Sequence, residues 1–209
     1  MVSMKARMER VAPAPADDTR QPSRRLCTVD EYYNLADKGI ISRDERLELI
    51  EGEILVMRSQ NGPHVACTLR INTWFTPRVA GRAIVSVQCT MLIPDYSAPE
   101  PDFILLKLRD DFYESGVAQP ADVLLLAEVS HSSVAFDRGR KLRMYAAAGI
   151  PEYWVFAVER KQLHVYRTPK GRAYAEHLVV KRGETIAPLA FPDLAVPVDQ
   201  ILGLAKWTQ

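Results

Sequence analysis

Two short apolar runs, each meeting polar sequence at an acid, restrict the architectures open to this chain more than any other feature. Phe103-Ile104-Leu105-Leu106 follows Pro101-Asp102, and Val123-Leu124-Leu125-Leu126-Ala127 closes on Glu128. Both runs are too short for a buried helix and are bounded by loop residues, so they read as central strands covered on both faces. Strands of that kind need a layer on each side of their sheet.

The flanking segments can supply those layers. Thr28-Val29-Asp30-Glu31 has the form of a capping box, opening a helix that ends near Gly39. Leu47-Glu48-Leu49-Ile50 and Glu53-Ile54-Leu55-Val56-Met57 flank Glu51-Gly52 and read as a hairpin. Val65, Leu69, Ile71 and Trp74 have helical spacing over residues 63–79, with Pro77 and Gly81 marking the exit. Residues 83–88 and 90–93 look like strand, and residues 136–148 like a helix stopped by Gly149 and Pro151. A meander follows over 153–158, 163–167 and 174–180, with turns at Glu159-Arg160-Lys161 and Pro169-Lys170-Gly171. The expected fold is a single α/β domain around a mixed sheet.

The 209 residues suffice for one well-packed domain, and 47% apolar with 25% charged residues is ordinary for a soluble globular protein. A net charge of +1 gives no global pull towards nucleic acid, although a local basic groove beside an acidic site would be hidden in that sum. Cys27, Cys67 and Cys89 are far apart and suggest neither a zinc site nor a disulfide framework. No apolar run is long enough to span a bilayer, and the charged N-terminus lacks a secretory pattern, so a cytoplasmic protein without a membrane partner is expected. Residues 1–25 hold scattered arginines and Ala-Pro repeats and read as a disordered tail, leaving 26–205 as the domain.

Asp102 and Glu128 suit hard-cation chemistry. Magnesium takes oxygen ligands and keeps several waters, so one or two carboxylates suffice, and the ion assists phosphodiester hydrolysis by polarising the phosphate and activating water. If the two strands are neighbours, the carboxylates converge at one sheet edge. Asp137 and Lys141 follow on the next helix, and a lysine's compact charge can hold an attacking water or offset a pentavalent phosphate. The plainer reading stands beside this one. Acids at strand ends are commonly turn formers, and Asp137 with Lys141 has the spacing of a surface pair.

Arg138, Arg140, Lys141 and Arg143 make that helix basic, either as a solvated face or as a track for a nucleic-acid backbone. His64 opens a helix and is either a cap or packing group or a phosphate contact or proton carrier. His131, His164 and His177 lack metal-ligand spacing, and Ser130-His131 is no nucleophile motif. Tyr153 and Trp154 are expected in the core.

Pro101-Asp102 with Glu128-Val129-Ser130 resembles the signature of the PD-(D/E)XK nuclease superfamily. More narrowly, the chain resembles the Uma-two family of restriction endonucleases from about Tyr32 to Leu202. The pieces are Leu47-Glu48-Leu49-Ile50-Glu51-Gly52-Glu53, His64, the two acidic motifs, Asp137 with Lys141 and Tyr145, and Gly149-Ile150-Pro151-Glu152-Tyr153-Trp154. The resemblance implies a restriction-endonuclease-like fold with a mixed β-sheet core flanked by helices. It implies a Mg²⁺-dependent endonuclease (Mn²⁺ as a substitute) that hydrolyses DNA; since cutting both strands needs two sites, a homodimer is the expected assembly. Asp102 and Glu128 would be metal ligands with the Val129 carbonyl as a third, and Glu48 would support them.

Ser130 occupies the superfamily's usual lysine position, and Lys141 from the following helix is expected to supply the missing charge. Substrate contacts are expected from His64, Ser130 and Arg138. His131 stands where the family often has proline, and Ala157 where it often has an acid; neither removes a proposed ligand. The rival expectation is a catalytically inactive protein that keeps the fold as an interaction or nucleic-acid-binding module.

Overall fold

The computed structural model describes residues 24–42 and 44–207. The disordered tail expected over residues 1–25 lies outside them up to residue 23, while Arg24 and Arg25 form ion pairs with Glu53 and Glu31.

Helix α1 (Val29–Asp37) starts on the capping box: Glu31 N donates to Thr28 Oγ1 at 3.2 Å, and Thr28 N donates back to Glu31 Oε2 at 3.1 Å. Strands β1 (Leu47–Ile50) and β2 (Glu53–Val56) form the expected hairpin. Its two turn residues, Glu51 and Gly52, have φ of 50° and 79°, the left-handed pair that a tight two-residue turn requires. Gly52 is needed twice over, since a Cβ there would lie 2.6 Å from Leu26 Cβ.

Helix α2 (Gly62–Val79) is capped by Asn61, whose side chain accepts from His64 N at 3.1 Å. Pro77 is accommodated inside its last turn rather than ending it. The buried stripe is Cys67, Ile71, Trp74, Phe75 and Val79; Val65 and Leu69, expected on it, are 39% and 58% exposed. The helix is therefore rotated from the anticipated face, because Phe75 and Trp74 take the core side. Phe75 packs 5.1 Å from Phe103 between ring centroids.

One six-stranded sheet carries the fold, in the order β3 (Ile84–Ser86), β4 (Phe103–Leu106), β5 (Val123–Ser130), β6 (Glu152–Ala157), β7 (Gln162–Lys170) and β8 (Ala173–Val180). Only β5 and β6 pair in parallel, so the sheet is mixed. The parallel pair needs a crossover. The helical stretch α3 (Val134–Phe136), a π-helical turn Asp137–Lys141 and α4 (Leu142–Ala147) supplies it. Residues 90–93 are not a strand. Met91 N and Leu92 N donate to the loop carbonyls of Pro99 and Ala118, and Ile93 makes a lone bridge with Ser97.

Both faces of the sheet are covered, as the two apolar runs demand. On one face α2 and the C-terminal α5 (Val198–Ile201) pack over Phe103, Leu105, Leu125, Ala127, Trp154 and Phe156. On the other, the crossover and Ile50 of the hairpin cover Ile104, Leu126, Tyr153 and Val155. The two-strand pair β9 (Thr185–Ile186) and β10 (Val196–Pro197) precedes α5. Tyr153 and Trp154 are fully buried, and Trp154 Nε1 donates to Glu152 Oε1 at 2.9 Å. No helix among the described residues is long and apolar enough to cross a membrane.

Candidate active site

Strands β4 and β5 are adjacent and antiparallel with Phe103 opposite Ala127, so continuing the register sets Asp102 opposite Glu128. The two acids are drawn together at the edge where β4 begins. Asp102 N donates to Glu128 Oε2 at 3.4 Å, and Val129 N donates to Asp102 Oδ2 at 2.8 Å. A strand residue's amide and carbonyl face the same neighbour, so the Val129 carbonyl lies on the Asp102 side of β5.

Lys141 enters from the crossover. It is 2% exposed, and its Nζ lies 2.9 Å from Glu128 Oε1 and 2.9 Å from Glu48 Oε2. Asp137 is buried as well, so the expected exposed pair at this spacing is not what forms. The reason is the π turn, which reaches over five residues and turns both side chains inward. Asp137 Oδ2 instead accepts from Ser130 Oγ and Ser133 Oγ, both at 2.6 Å. Tyr145 OH donates to Glu128 Oε1 at 2.8 Å. The sequence names Tyr145 only as a piece of the family resemblance; its spacing of four from Lys141, repeating that of Lys141 from Asp137, is the signal that could have placed it in the cluster.

The remaining contacts to Asp102 come from α2 and the loops. His64 Nε2 is 3.0 Å from Oδ2, while Gln60 and Gln88 Nε2 each donate to Oδ1 at 3.3 Å. The two glutamines carry no sequence signal, since only the fold brings residues 60, 88 and 102 together. The cluster forms the floor of a cleft of about 430 Å³, walled by residues 55–61, 131–133 and Phe136.

Charge in this cluster is unbalanced. Burial raises the Glu128 carboxyl well above its usual range; Lys141 offsets this in part, and Asp102, Asp137 and Glu48 add to it. Glu48 is raised by burial against the pull of Lys141. Burial would also lift Asp102, but the His64 contact, the Val129 amide and Lys141 outweigh it and hold its carboxyl below the usual value. Burial works against the Lys141 ammonium, yet Glu128, Glu48 and Asp137 more than compensate and hold it protonated. Three carboxylates thus converge on one ammonium.

The other expected contacts lie elsewhere. Ser130 is fully buried and committed to Asp137. Arg138 does not line the cleft; its Nε donates to Tyr166 OH at 2.7 Å. Arg140 holds the hairpin through Glu51, Glu53 and the Ile50 carbonyl, so this part of the basic helix is structural. His131 does line the cleft, facing Glu159 at 3.3 Å, while His164 and His177 stack on β7 and β8.

Among the described residues no three His, Cys, Asp or Glu side chains are arranged to hold a metal ion by themselves. The donor set nevertheless fits a hard cation of the magnesium kind. Two opposed carboxyl groups and a strand carbonyl on the same side match the oxygen donors of an ion that completes its shell with water.

Sheet, crossover and acidic cluster together define an α/β protein with a nuclease-like fold. The chain belongs to the Uma2 family: the family model, described as "Putative restriction endonuclease", matches residues 29–199. A solved structure titled a "putative nuclease belonging to DUF820 from Anabaena variabilis ATCC 29413" superposes with a TM-score of 0.62 at 18% identity, covering 85% of this chain and 98% of that one. That likeness speaks for the fold. No curated protein matches the chain.

Proposed function

We propose that the protein is a Mg²⁺-dependent endonuclease, with Mn²⁺ as an alternative ion, that hydrolyses DNA phosphodiester bonds. The observation that supports it most is the opposition of Asp102 and Glu128 on adjacent strands with the Lys141 ammonium 2.9 Å from Glu128. Asp102, Glu128 and the Val129 carbonyl would hold the ion, which supplies charge neutralisation at the phosphate and activation of the attacking water. The chain's own groups do the rest. Lys141 and Tyr145 both donate to Glu128 Oε1 and so fix that carboxylate, leaving Oε2 turned towards Asp102. Glu48 steadies the ammonium from the opposite side. His64, against Asp102 Oδ2, orients that carboxylate from the cleft wall. A homodimer would give two sites for two strands.

One observation favours the second reading, a nuclease fold retained as an interaction or nucleic-acid-binding module. Lys141 already sits between Glu48 and Glu128 as an internal cation, and it is almost wholly enclosed.

The deciding experiment is nicking of supercoiled plasmid with Mg²⁺ or Mn²⁺, beside titration of Mn²⁺ into the wild type and Asp102→Ala. Nicking and Mn²⁺ binding that both vanish in the variant are the expected result. Mn²⁺ binding that persists in Asp102→Ala, or no nicking by the wild type, moves the protein to the second reading.

A further inference from the structure

Two arginines on the cleft wall have no counter-ion among the described residues. Arg46, just before β1, and Arg58, just after β2, stand side by side, with Arg46 Nη1 donating to the Arg58 carbonyl at 3.5 Å. Neither guanidinium has a carboxylate partner among the described residues. Several other arginines do, Arg82 with Asp193, Arg109 with Asp111, Arg140 with Glu51 and Glu53, and Arg167 with Glu152; what sets Arg46 and Arg58 apart is that they share one wall of the cleft. Both unpaired cations line the cleft whose floor is Asp102 and Glu128. A pair of free guanidinium groups on the wall of such a cleft is a site for an anion held above its floor.

Part of the wall beside them is apolar. Leu55, Val56, Met57 and Phe136 face the same space, and Val56 is 78% exposed at the end of a strand. Apolar and aromatic surface beside paired cations matches a base next to its phosphates. A base offers its flat face only when it leaves the stack of a duplex. The floor points the same way, because Asp102 and Glu128 are 7% and 3% exposed at the bottom of a cleft of about 430 Å³. That space is of the size that holds one small ligand. A duplex presents its phosphates on a convex, stiff surface, so the stretch that reaches the floor is one that has opened, as strained regions of a supercoiled plasmid do.

We propose that the cleft takes an unpaired stretch of polynucleotide, with Arg46 and Arg58 on neighbouring phosphates and the Met57–Phe136 wall against a base. The proposal rests on the nuclease reading for the identity of the reacting group, but the arginines and the apolar wall can be tested without cleavage.

The test is fluorescence anisotropy in EDTA with a labelled oligodeoxynucleotide, single-stranded and then annealed to its complement. Wild type, Arg46→Ala and Arg58→Ala are compared with Arg78→Ala. This control removes the same charge from the far end of α2, where Arg78 lies over the Trp74 ring. The single strand is expected to bind roughly tenfold more tightly than the duplex, and each cleft variant to lower the salt slope by about 0.7, with Arg78→Ala unchanged. Equal or tighter duplex binding, absence of binding, or cleft variants that keep the wild-type affinity and slope overturn the proposal. The two readings fail separately. Arginine-dependent single-strand binding without plasmid nicking removes the nuclease and leaves this inference. Asp102-dependent cutting that ignores Arg46 and Arg58 does the reverse.

Discussion

Lys141 is the residue on which the acidic cluster turns. Its ammonium is enclosed between Glu48 and Glu128, and removing one partner of a buried ion pair leaves the others as uncompensated charge. Lys141→Met should therefore cost about 3–5 kcal/mol in urea unfolding. Adding Glu48→Gln should recover part of that loss, because it removes one of the stranded carboxylates. A loss below about 1 kcal/mol would mean the cluster sheds its charge by protonation instead. Tyr145→Phe isolates a smaller effect: it deletes one hydrogen bond to Glu128 Oε1 in a fully buried setting, worth about 1–2 kcal/mol. If Tyr145 fixes the Glu128 orientation, Mn²⁺ should also bind the variant more weakly in calorimetry. Unchanged Mn²⁺ affinity would reduce Tyr145 to packing.

Among the elements, the β1–β2 hairpin delivers Glu48, and its turn has an exacting local geometry. Gly52→Ala meets two obstacles, a left-handed φ of 79° and a contact with Leu26 at 2.6 Å. Gly149 has a φ of 77° but open space around its absent side chain, so Gly149→Ala meets only the first. The expected costs are about 1 kcal/mol at Gly149 and about 2 kcal/mol or more at Gly52, read from thermal midpoints. Equal costs would show that residues near Leu26 simply move aside. The same hairpin shows what a sequence can reveal. The capping box at Thr28, the Glu51-Gly52 turn and the two apolar strands are local signals, and each was legible. Residues 90–93 look like strand in isolation but give their hydrogen bonds to loops 99 and 118. The face of α2 depended on which residues met Phe103, and the π turn on burying Asp137 beside Ser130. In the site, Asp102 and Glu128 were legible as acids at strand ends. Their opposition, and the places of Gln60, Gln88 and Arg138, depended on strand order and loop approach, which no local pattern encodes.

At the scale of the whole molecule, stability should depend on pH through a histidine pair on β7 and β8, its His164 in register with Glu128 but two strands along the sheet from it. His164 Nδ1 lies 3.2 Å from His177 Nε2 across β7 and β8, in a position 4% exposed. Burial lowers the His164 pKa to about 4, and the charges of Arg138, His177 and Arg160 push the same way. His177 is lowered too, by burial and Arg138. The ordinary histidine value is about 6.5, so between roughly pH 6.5 and 4 the unfolded chain holds protons that the folded one excludes. Stability from this source is complete above about pH 6.5, falls as the solution is acidified and levels off below about pH 4. Lowered carboxyls such as Asp193 lose their contribution at still lower pH. The raised Glu48 and Glu128 act in the opposite direction, since the folded state there keeps protons the unfolded chain has released. Urea midpoints of the wild type should thus fall between pH 7.5 and pH 5, and His164→Gln should flatten that fall. A variant that loses as much stability as the wild type over this range would assign the pH response to the carboxylates and leave the histidine pair a packing contact.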